Sequence, residues 1–360
     1  MKVGILTYHR SHNYGALLQS IATRVVLERL GHSVYYIDYW PSYHRRMYAL
    51  IDERLIFSWR IRRGLRYVFR NVLCVFKNKV RRRANMNGFI RQYIEPYCRP
   101  ESEQYNVVLY GSDQIWRKQR EGVGYNPIYF GKNNFKSDKH ISYAASMGIL
   151  PDCPKDAEKV SNLLSRLDRI SVREEDLRDF LNNIGIRDVQ VCIDPTLLLS
   201  AGQWDAIFPS QTNPKERYVL FYNLLPNSFD KKELIKFTND RHCKLKVLHS
   251  KPIHKETPDD ICTVSPEGFI DLVRNAEFIF TSSFHGLVFA IIYKKPFLAS
   301  FSRNAGRADS ILRQLGLDDY LLPPMSELPH DIRPIAYGLV EGNLEKMREM
   351  SMKYLIESVS

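Results

Sequence analysis

The chain has 360 residues, 44% of them apolar and 12% aromatic, which is too long for one ordinary core and too apolar for wholesale disorder, so two packed domains are expected. The formal charge is +12, and the six cysteines (74, 98, 153, 192, 243, 262) are scattered without C-x-x-C or zinc spacing, which excludes a disulfide scaffold or a zinc module and fits a reduced compartment. No apolar run approaches the roughly 20 residues a spanning helix needs, and Met1-Lys2 leads directly into a strand, so no secretory leader or integral membrane segment is expected.

Lys2 to Tyr8 reads as a strand, Arg10 to Gly15 as a polar turn, and Ala16 to Leu30 as a helix ended by Gly31 before a second strand, Val34 to Ile37. In this βαβ unit the first turn offers Asn13, Tyr14 and Gly15 to an anion. The G-x-G-x-x-G and G-x-x-x-x-G-K-[ST] nucleotide signatures are absent.

The stretch that follows is of another kind. Between His44 and Arg83 stand thirteen Lys and Arg against two acids, so this segment holds +11 of the chain's +12. Trp59, Phe57, Phe69 and Phe76 lie among arginines 62, 63, 66 and 70, spaced about one helical turn apart. Three readings are open: a helical insertion packed on its own domain, a nucleic-acid contact, or a basic amphipathic surface element docking on anionic membrane. No nucleic-acid recognition module is visible, and a nucleic-acid partner is not expected.

Strand and helix then alternate to the chain's end. Val107 to Tyr110 leads into Gly111-Ser112-Asp113, where Asp113 reads as a general base or a helix N-cap. Ile141 to Ala145 is a strand, 151–168 a helix, and Ile170 to Val172 a strand ending at Arg173-Glu174-Glu175. Helix 175–184 and strand 189–193 follow. Asp194-Pro195 breaks the pattern, and 200–216 reads as a polar, turn-rich boundary. The second half restarts with strand 218–222, helix 230–239, strand 245–249, and a helix opened by Ser265-Pro266-Glu267. Strand 277–280, a buried helix 287–293, strand 297–300 and a final amphipathic helix 342–358 complete it.

The turn Thr281-Ser282-Ser283-Phe284-His285-Gly286 is the most informative. It sets a histidine at a strand-to-helix turn, where unpaired N–H groups and the helix dipole favour an anion. The alternative is that Ser282 and Ser283 cap the helix and His285 is a satisfied core histidine.

These segments resemble the polysaccharide pyruvyl transferases. The resemblance is carried by Asn13-Tyr14-Gly15-Ala16 with Leu18-Gln19, Gly111-Ser112-Asp113-Gln114-Ile115-Trp116, Ser142-Tyr143-Ala144-Ala145-Ser146, Ser171-Val172-Arg173-Glu174, Asp194-Pro195-Thr196-Leu197-Leu198 and Ser283-Phe284-His285-Gly286, in that order. It implies two Rossmann-like, doubly wound α/β domains facing a cleft, similar to B-type glycosyltransferases. The expected division is 1–205 with a basic insertion at about 44–96, then 215–335, and a C-terminal helix at 336–360 that packs back on the first domain.

The implied activity is transfer of pyruvate from phosphoenolpyruvate to sugar hydroxyls as a ketal, in cell-surface polysaccharide biosynthesis. Phosphoenolpyruvate is the donor substrate, and neither a cofactor nor a metal is called for. The other partner is a saccharide acceptor, free or lipid-linked, at a cytoplasmic site or at the inner membrane face, with 44–83 as the membrane contact.

The chemistry needs an arginine fork for carboxylate or phosphate and an acid/base group working near neutral pH. Arg173, His285 and Asp113 are the expected catalytic set, Arg173 having a salt bridge to Glu174 or Glu175 as its alternative. Asn13, Tyr14, Gly15, Gly111, Ser112, Ser282, Ser283 and Gly286 are expected to shape the substrate site. Some members carry arginine two residues before the histidine, where this chain has Ser283. Arg303 or Arg307 is expected to supply the missing phosphate contact. A nucleotide-sugar glycosyltransferase and a catalytically silent binding subunit are the competing functions.

Overall fold

The computed structural model describes residues 1–50, 75–119, 123–210, 216–302 and 306–360. The first half is built from β1 (Lys2–Leu6), α1 (Tyr14–Arg29), β2 (Ser33–Ile37), α2 (Ser42–Met47), α3 (Phe76–Tyr93), β3 (Cys98–Arg99), β4 (Gln104–Tyr110) and β5 (Lys136–Ser142). It continues with α4 (Pro154–Leu164), β6 (Ser171–Val172), α5 (Glu175–Asn183), β7 (Gln190–Val191) and α6 (Ala201–Ile207). Five strands form one sheet in the order β3-β2-β1-β4-β5, all parallel, with Ile5 paired to Tyr36 on one side and Leu109 on the other. Isolated parallel bridges Ile141–Arg169 and Ala145–Val172 carry the sheet's edge on to the β6–β7 pair. Such an order reverses direction beside β1, and ligands of parallel sheets sit at the carboxyl ends of the strands flanking that reversal.

The second half comprises β8 (Tyr218–Asn223), α7 (Lys231–Asp240), β9 (Lys244–His249), β10 (Asp260–Ile261), α8 (Pro266–Arg274), β11 (Phe278–Thr281), α9 (Phe284–Ile292), β12 (Phe297–Ser300), α10 (Gly306–Leu315), β13 (Leu321–Leu322) and α11 (Tyr337–Val359). Its six parallel strands run β10-β9-β8-β11-β12-β13, again winding outward from the first strand. The protein is thus α/β with two Rossmann-like doubly wound sheets.

Helices that are buried all round lie between the sheets. Every residue of α9 is buried, and in α1 Leu17, Leu18, Ile21, Ala22 and Leu27 are fully enclosed. A helix without a polar face can be stable only inside the protein. One apolar cluster accordingly runs from Leu17 and Leu18 of α1 through Leu197 to Phe269 of α8 and Leu287 of α9, joining the halves. Tyr14 stacks on Phe269 with centroids 5.0 Å apart, and its hydroxyl donates to the Val264 carbonyl.

Two segments differ from their sequence reading. The polar stretch after Ser200 begins with α6, opened by a capping box in which Ser200 and Gln203 exchange bonds, and anchored by fully buried Trp204. Seven residues with only two large apolar side chains, Trp204 and Ile207, give no visible period, so the cap and the tryptophan carry the helix. The final helix begins at Tyr337 rather than 342 and ties to the first half: Tyr354 donates to the Ser142 carbonyl, and Arg348 to that of Leu197.

Of the basic stretch, α3 docks on the second half. Arg82 donates to the Cys262 carbonyl and the Tyr14 hydroxyl, Asn78 to the Ile253 carbonyl, and Asn85 to that of Thr263. The membrane-contact reading rests on Phe57, Trp59, Arg62, Arg63, Arg66, Phe69 and Arg70, which lie outside the described residues. No helix among the described residues is long and apolar enough to cross a membrane.

Candidate active site

Every expected site residue among those described lies at or beside a carboxyl strand end or a helix N-terminus, and the two halves meet there. After β1, Asn13 caps α1 by accepting from the Ala16 N–H at 3.2 Å. After β11, Ser283 caps α9 in the same way, accepting from the Gly286 N–H at 3.4 Å. The two helix starts are in contact: a methyl group added at Gly15 would stand 1.9 Å from His285 Nδ1. Glycine at position 15 is the space the imidazole of the other half occupies.

The other imidazole nitrogen, His285 Nε2, lies 3.5 Å from Asp194 Oδ2, and the same oxygen accepts a short bond from Arg173 Nη1. Asp194 is fully buried; its other oxygen accepts from the Thr196 N–H and hydroxyl. Burial alone would raise its pKa. The Arg173 charge, with His285 and Thr196 adding to it, holds the carboxyl well below the usual carboxylate range, so Asp194 is ionised. Arg173 and His285 are therefore joined across the domain boundary through one carboxylate.

Asp194 takes only one corner of the Arg173 fork. Nε and Nη2, the pair of donors that can grip a carboxylate or phosphate side-on, are buried and find no hydrogen-bond partner among the described residues. The nearest acids stand too far off for a hydrogen bond, Glu174 Oε1 at 3.8 Å from Nε and Asp113 Oδ1 at 3.9 Å from Nη2. His285 Nε2 and Glu174 Oε2 are likewise buried without a hydrogen bond. Buried polar groups are almost always paired, so this concentration of unpaired ones at one point marks a place for a polar ligand.

Arg307 joins this group. Its guanidinium carbon is 5.1 Å from the Phe284 ring centroid, and that of Arg173 is 5.0 Å from it, so one aromatic ring serves two cations. Burial pulls the Arg307 pKa down and the Arg173 charge adds to the pull, while Asp113, Glu174 and Asp194 oppose it. Burial also pushes the Glu174 carboxyl up, against Arg173 and a 2.7 Å bond from the Ser146 hydroxyl. Arg303 lies outside the described residues.

Other expected residues have their bonding spent within the protein. Ser112 is wholly buried: its N–H donates to Gln19 Oε1, its hydroxyl to the Ala144 carbonyl, and its own carbonyl accepts from Thr7. Ser282 accepts from the Leu224 and Leu225 N–H groups at 2.9 Å each and fixes the loop after β8. A Cβ at Gly111 would meet the Tyr143 carbonyl oxygen at 2.3 Å, and one at Gly286 the Thr281 hydroxyl at 2.3 Å. Gly111, Ser112, Ser282, Ser283, Gly286, Asn13 and Tyr14 thus set the backbone of the site, and Arg173, Arg307, His285, Asp113 and Glu174 supply its charge.

Asp113 accepts from the N–H of Gln114 next to it, and adopts φ 74°, a left-handed conformation that aspartate tolerates better than most residues. It lies 3.9 Å from the fork of Arg173, whereas His285 reaches that arginine through Asp194.

Asp194 is the participant the sequence reading passed over. It stands in Asp-Pro-Thr, which looks like a turn signal: an aspartate N-cap before proline. The signal available was that this cap directly follows a buried strand-like run at the same sheet edge as Arg173.

A family model described as polysaccharide pyruvyl transferase matches residues 13–303. No curated protein matches. Among solved structures, the chain is similar to the E. coli heptosyltransferase WaaC with ADP at 12% identity and a TM-score of 0.43, covering 96% of this chain and 100% of that one. It is also similar to the UDP-N-acetylglucosamine 2-epimerase from Rickettsia bellii at 10% identity and a TM-score of 0.46, covering 99% of this chain and 98% of that one. Likenesses this distant carry nothing about this chain's chemistry. The family match takes in most of both sheets and the whole Arg173–Asp194–His285 constellation, and on it the chain belongs to the polysaccharide pyruvyl transferase family.

Proposed function

We propose that the protein transfers the pyruvate unit of phosphoenolpyruvate to two hydroxyls of a saccharide, forming a ketal and releasing phosphate. The observation that carries this reading is the unpaired Nε/Nη2 edge of Arg173, buried beside Arg307 and His285. A side-on guanidinium edge matches a carboxylate or phosphate in geometry as well as charge.

In the reaction, C3 of the enol phosphate takes a proton and C2 becomes electrophilic. One sugar hydroxyl adds to C2, the bond from C2 to the phosphate oxygen breaks, and the second hydroxyl closes the ketal. Of the two hydroxyl protons, one balances that given to C3 and the other leaves with phosphate. His285 is the acid/base candidate, since its Nε2 carries no hydrogen bond and its neighbour Asp194 stabilises the imidazolium. Asp113, 3.9 Å from Arg173 Nη2, is the candidate to accept a proton from an attacking hydroxyl.

Charge sharpens the proposal. Arg173 and Arg307 face Asp113, Glu174 and Asp194, so the described site is not strongly positive, while the donor brings about three negative charges. Donor binding should therefore carry a proton with it, onto Glu174, whose pKa burial already raises. The affinity then falls as pH rises through the range where Glu174 loses its proton. Calorimetry of phosphoenolpyruvate binding in buffers of different ionisation enthalpy measures this directly; zero net proton uptake would contradict it.

The central test is Arg173→Lys, which keeps the charge toward Asp194 but removes the fork. Phosphoenolpyruvate affinity should drop at least tenfold with the melting temperature little changed. Unaltered affinity would move the donor away from Arg173 and end this reading.

A further inference from the structure

A cavity of about 690 Å³ lies apart from the Arg173 cluster. It opens where the chain leaves β2, and is walled by Trp40, Tyr43, Tyr125 and Asn126, with Asp38 and Glu101 at its polar side. That volume lies in the range of small-molecule sites. We propose that this cavity binds a neutral sugar unit of the acceptor glycan, one or more units back from the sugar being modified; the assignment rests on the transferase reading above.

Three observations lead there. The first is chemical. The wall combines aromatic rings with carboxylates and an amide, and Asn126 is already oriented by donating its Nδ2 hydrogens to the Tyr39 and Tyr43 hydroxyls at 3.0 and 3.1 Å. Aromatic faces cover the apolar C–H faces of a pyranose, while carboxylates and amides take its hydroxyls. The indole N–H of Trp40 is buried with no partner among the described residues, a donor waiting for an acceptor.

The second is electrostatic. The cavity's charged residues are Arg10 and Arg45 against Asp38 and Glu101, which cancel. Arg10 is engaged besides, forked onto both oxygens of Asp38 and reaching Glu95 at 3.3 Å. Burial and the Asp38 charge push the Glu101 pKa up. A site for a phosphate or diphosphate would keep its cations free; here Arg10 is spent on Asp38 and Glu95, and the formal charges of the lining leave no net positive charge.

The third is position. Tyr43 packs on His44 with centroids 5.0 Å apart, and His44 on Tyr8 at 4.2 Å. The Tyr8 hydroxyl donates to the carbonyl of Gln114, next to Asp113. Burial holds the His44 imidazole down at about 4, against the opposing charge of Asp113, so at neutral pH it is an uncharged ring in this wall. A chain of buried ring contacts thus ties the cavity's Tyr43 to the Asp113 turn and fixes the cavity relative to the reacting centre.

Saturation-transfer NMR and calorimetry with methyl β-galactoside, methyl α-mannoside, chitotriose and cellotriose, without phosphoenolpyruvate, test this. At least one should bind the native protein. Trp40→Ala should weaken that binding about tenfold, and Trp40→Phe, which keeps a stacking face, by clearly less. The affinity for phosphoenolpyruvate, measured separately, should be unchanged in both variants. If none of the four binds, if binding ignores Trp40→Ala, or if UDP, ADP or inorganic phosphate occupies the cavity instead, the assignment is overturned. Should phosphoenolpyruvate fail to bind while a saccharide does, the transfer reaction falls and the sugar site stands.

Discussion

The turn after β1 and the turn after β11 are built alike and do different work. Each follows a buried strand, each is capped by a polar side chain (Asn13 and Ser283), and each places a glycine in the first helical turn. Gly286 serves its own domain: a methyl there would strike Thr281 and the Tyr222 ring, at 2.3 and 2.8 Å. Gly15 serves the other domain, because the atom it leaves out is the room taken by His285. One turn is therefore a packing solution and the other a receptor for a side chain from across the cleft. Their meeting point gains its charge from a third element, the Asp194 turn, which bonds to Arg173 and faces His285 at once.

That comparison is broken most severely at Asp194. Asp194→Asn removes the charge from a fully buried ion pair and strands the Arg173 guanidinium; loss of one partner of such a pair costs about 3 to 5 kcal/mol. Denaturant unfolding at neutral pH should show a deficit of that order. The folded-state pKa of Asp194 is depressed, so its contribution is complete above the ordinary carboxylate range and is lost as pH falls below that range. The gap between native and variant stability should therefore narrow as pH falls through and below about 4. A gap independent of pH would mean that the ion pair contributes nothing.

Next is His285→Ala, which leaves Arg173 and Asp194 paired and removes the imidazole. Phosphate release from phosphoenolpyruvate in the presence of acceptor should slow about 10²-fold or more, the usual cost of losing a general acid. Turnover within a few-fold of native, with the fold intact, would reduce His285 to a packing residue.

How the sequence exposes these parts follows from what each signal depends on. Periodicity and caps are local, so both doubly wound sheets, the Ser265-Pro266 helix start and the His285 turn can be read directly from neighbouring residues. Arg173 could be singled out because a charged residue ends a buried strand. Its partner is harder to single out, since Asp194 stands 21 positions further on, beyond a helix and a strand, and the parallel pairing of β6 with β7 brings the two together. Of the neighbouring acids, Glu174 does form an ion pair with Arg173 at 3.8 Å, while the hydrogen bond goes to Asp194. The cavity at Trp40 is concealed for the same reason, as its walls come from residues 10, 38–43, 45, 101, 123 and 125–127. Short α6 escapes because seven residues cannot display a helical period.

The finest test sets the two glycines against each other. Neither has a positive φ, so alanine is permitted by the backbone at both positions, and in a helix it would gain about 1 kcal/mol over glycine. At Gly286 the added methyl meets Thr281 and Tyr222 within one packed domain, where overpacking costs about 1 to 3 kcal/mol, so Gly286→Ala should chiefly lower the melting temperature. At Gly15 the methyl meets the imidazole of His285 at 1.9 Å, and relief comes from turning that ring or parting the two halves slightly. Either response displaces the proposed acid while leaving each domain's own core intact. Gly15→Ala should therefore cost about tenfold in turnover with a melting temperature within a few degrees of native, since small misplacements of a reacting group are expensive in rate. Equal losses of stability in the two variants, with turnover in Gly15→Ala untouched, would show that the first turn is packing as well, and that His285 does not depend on it.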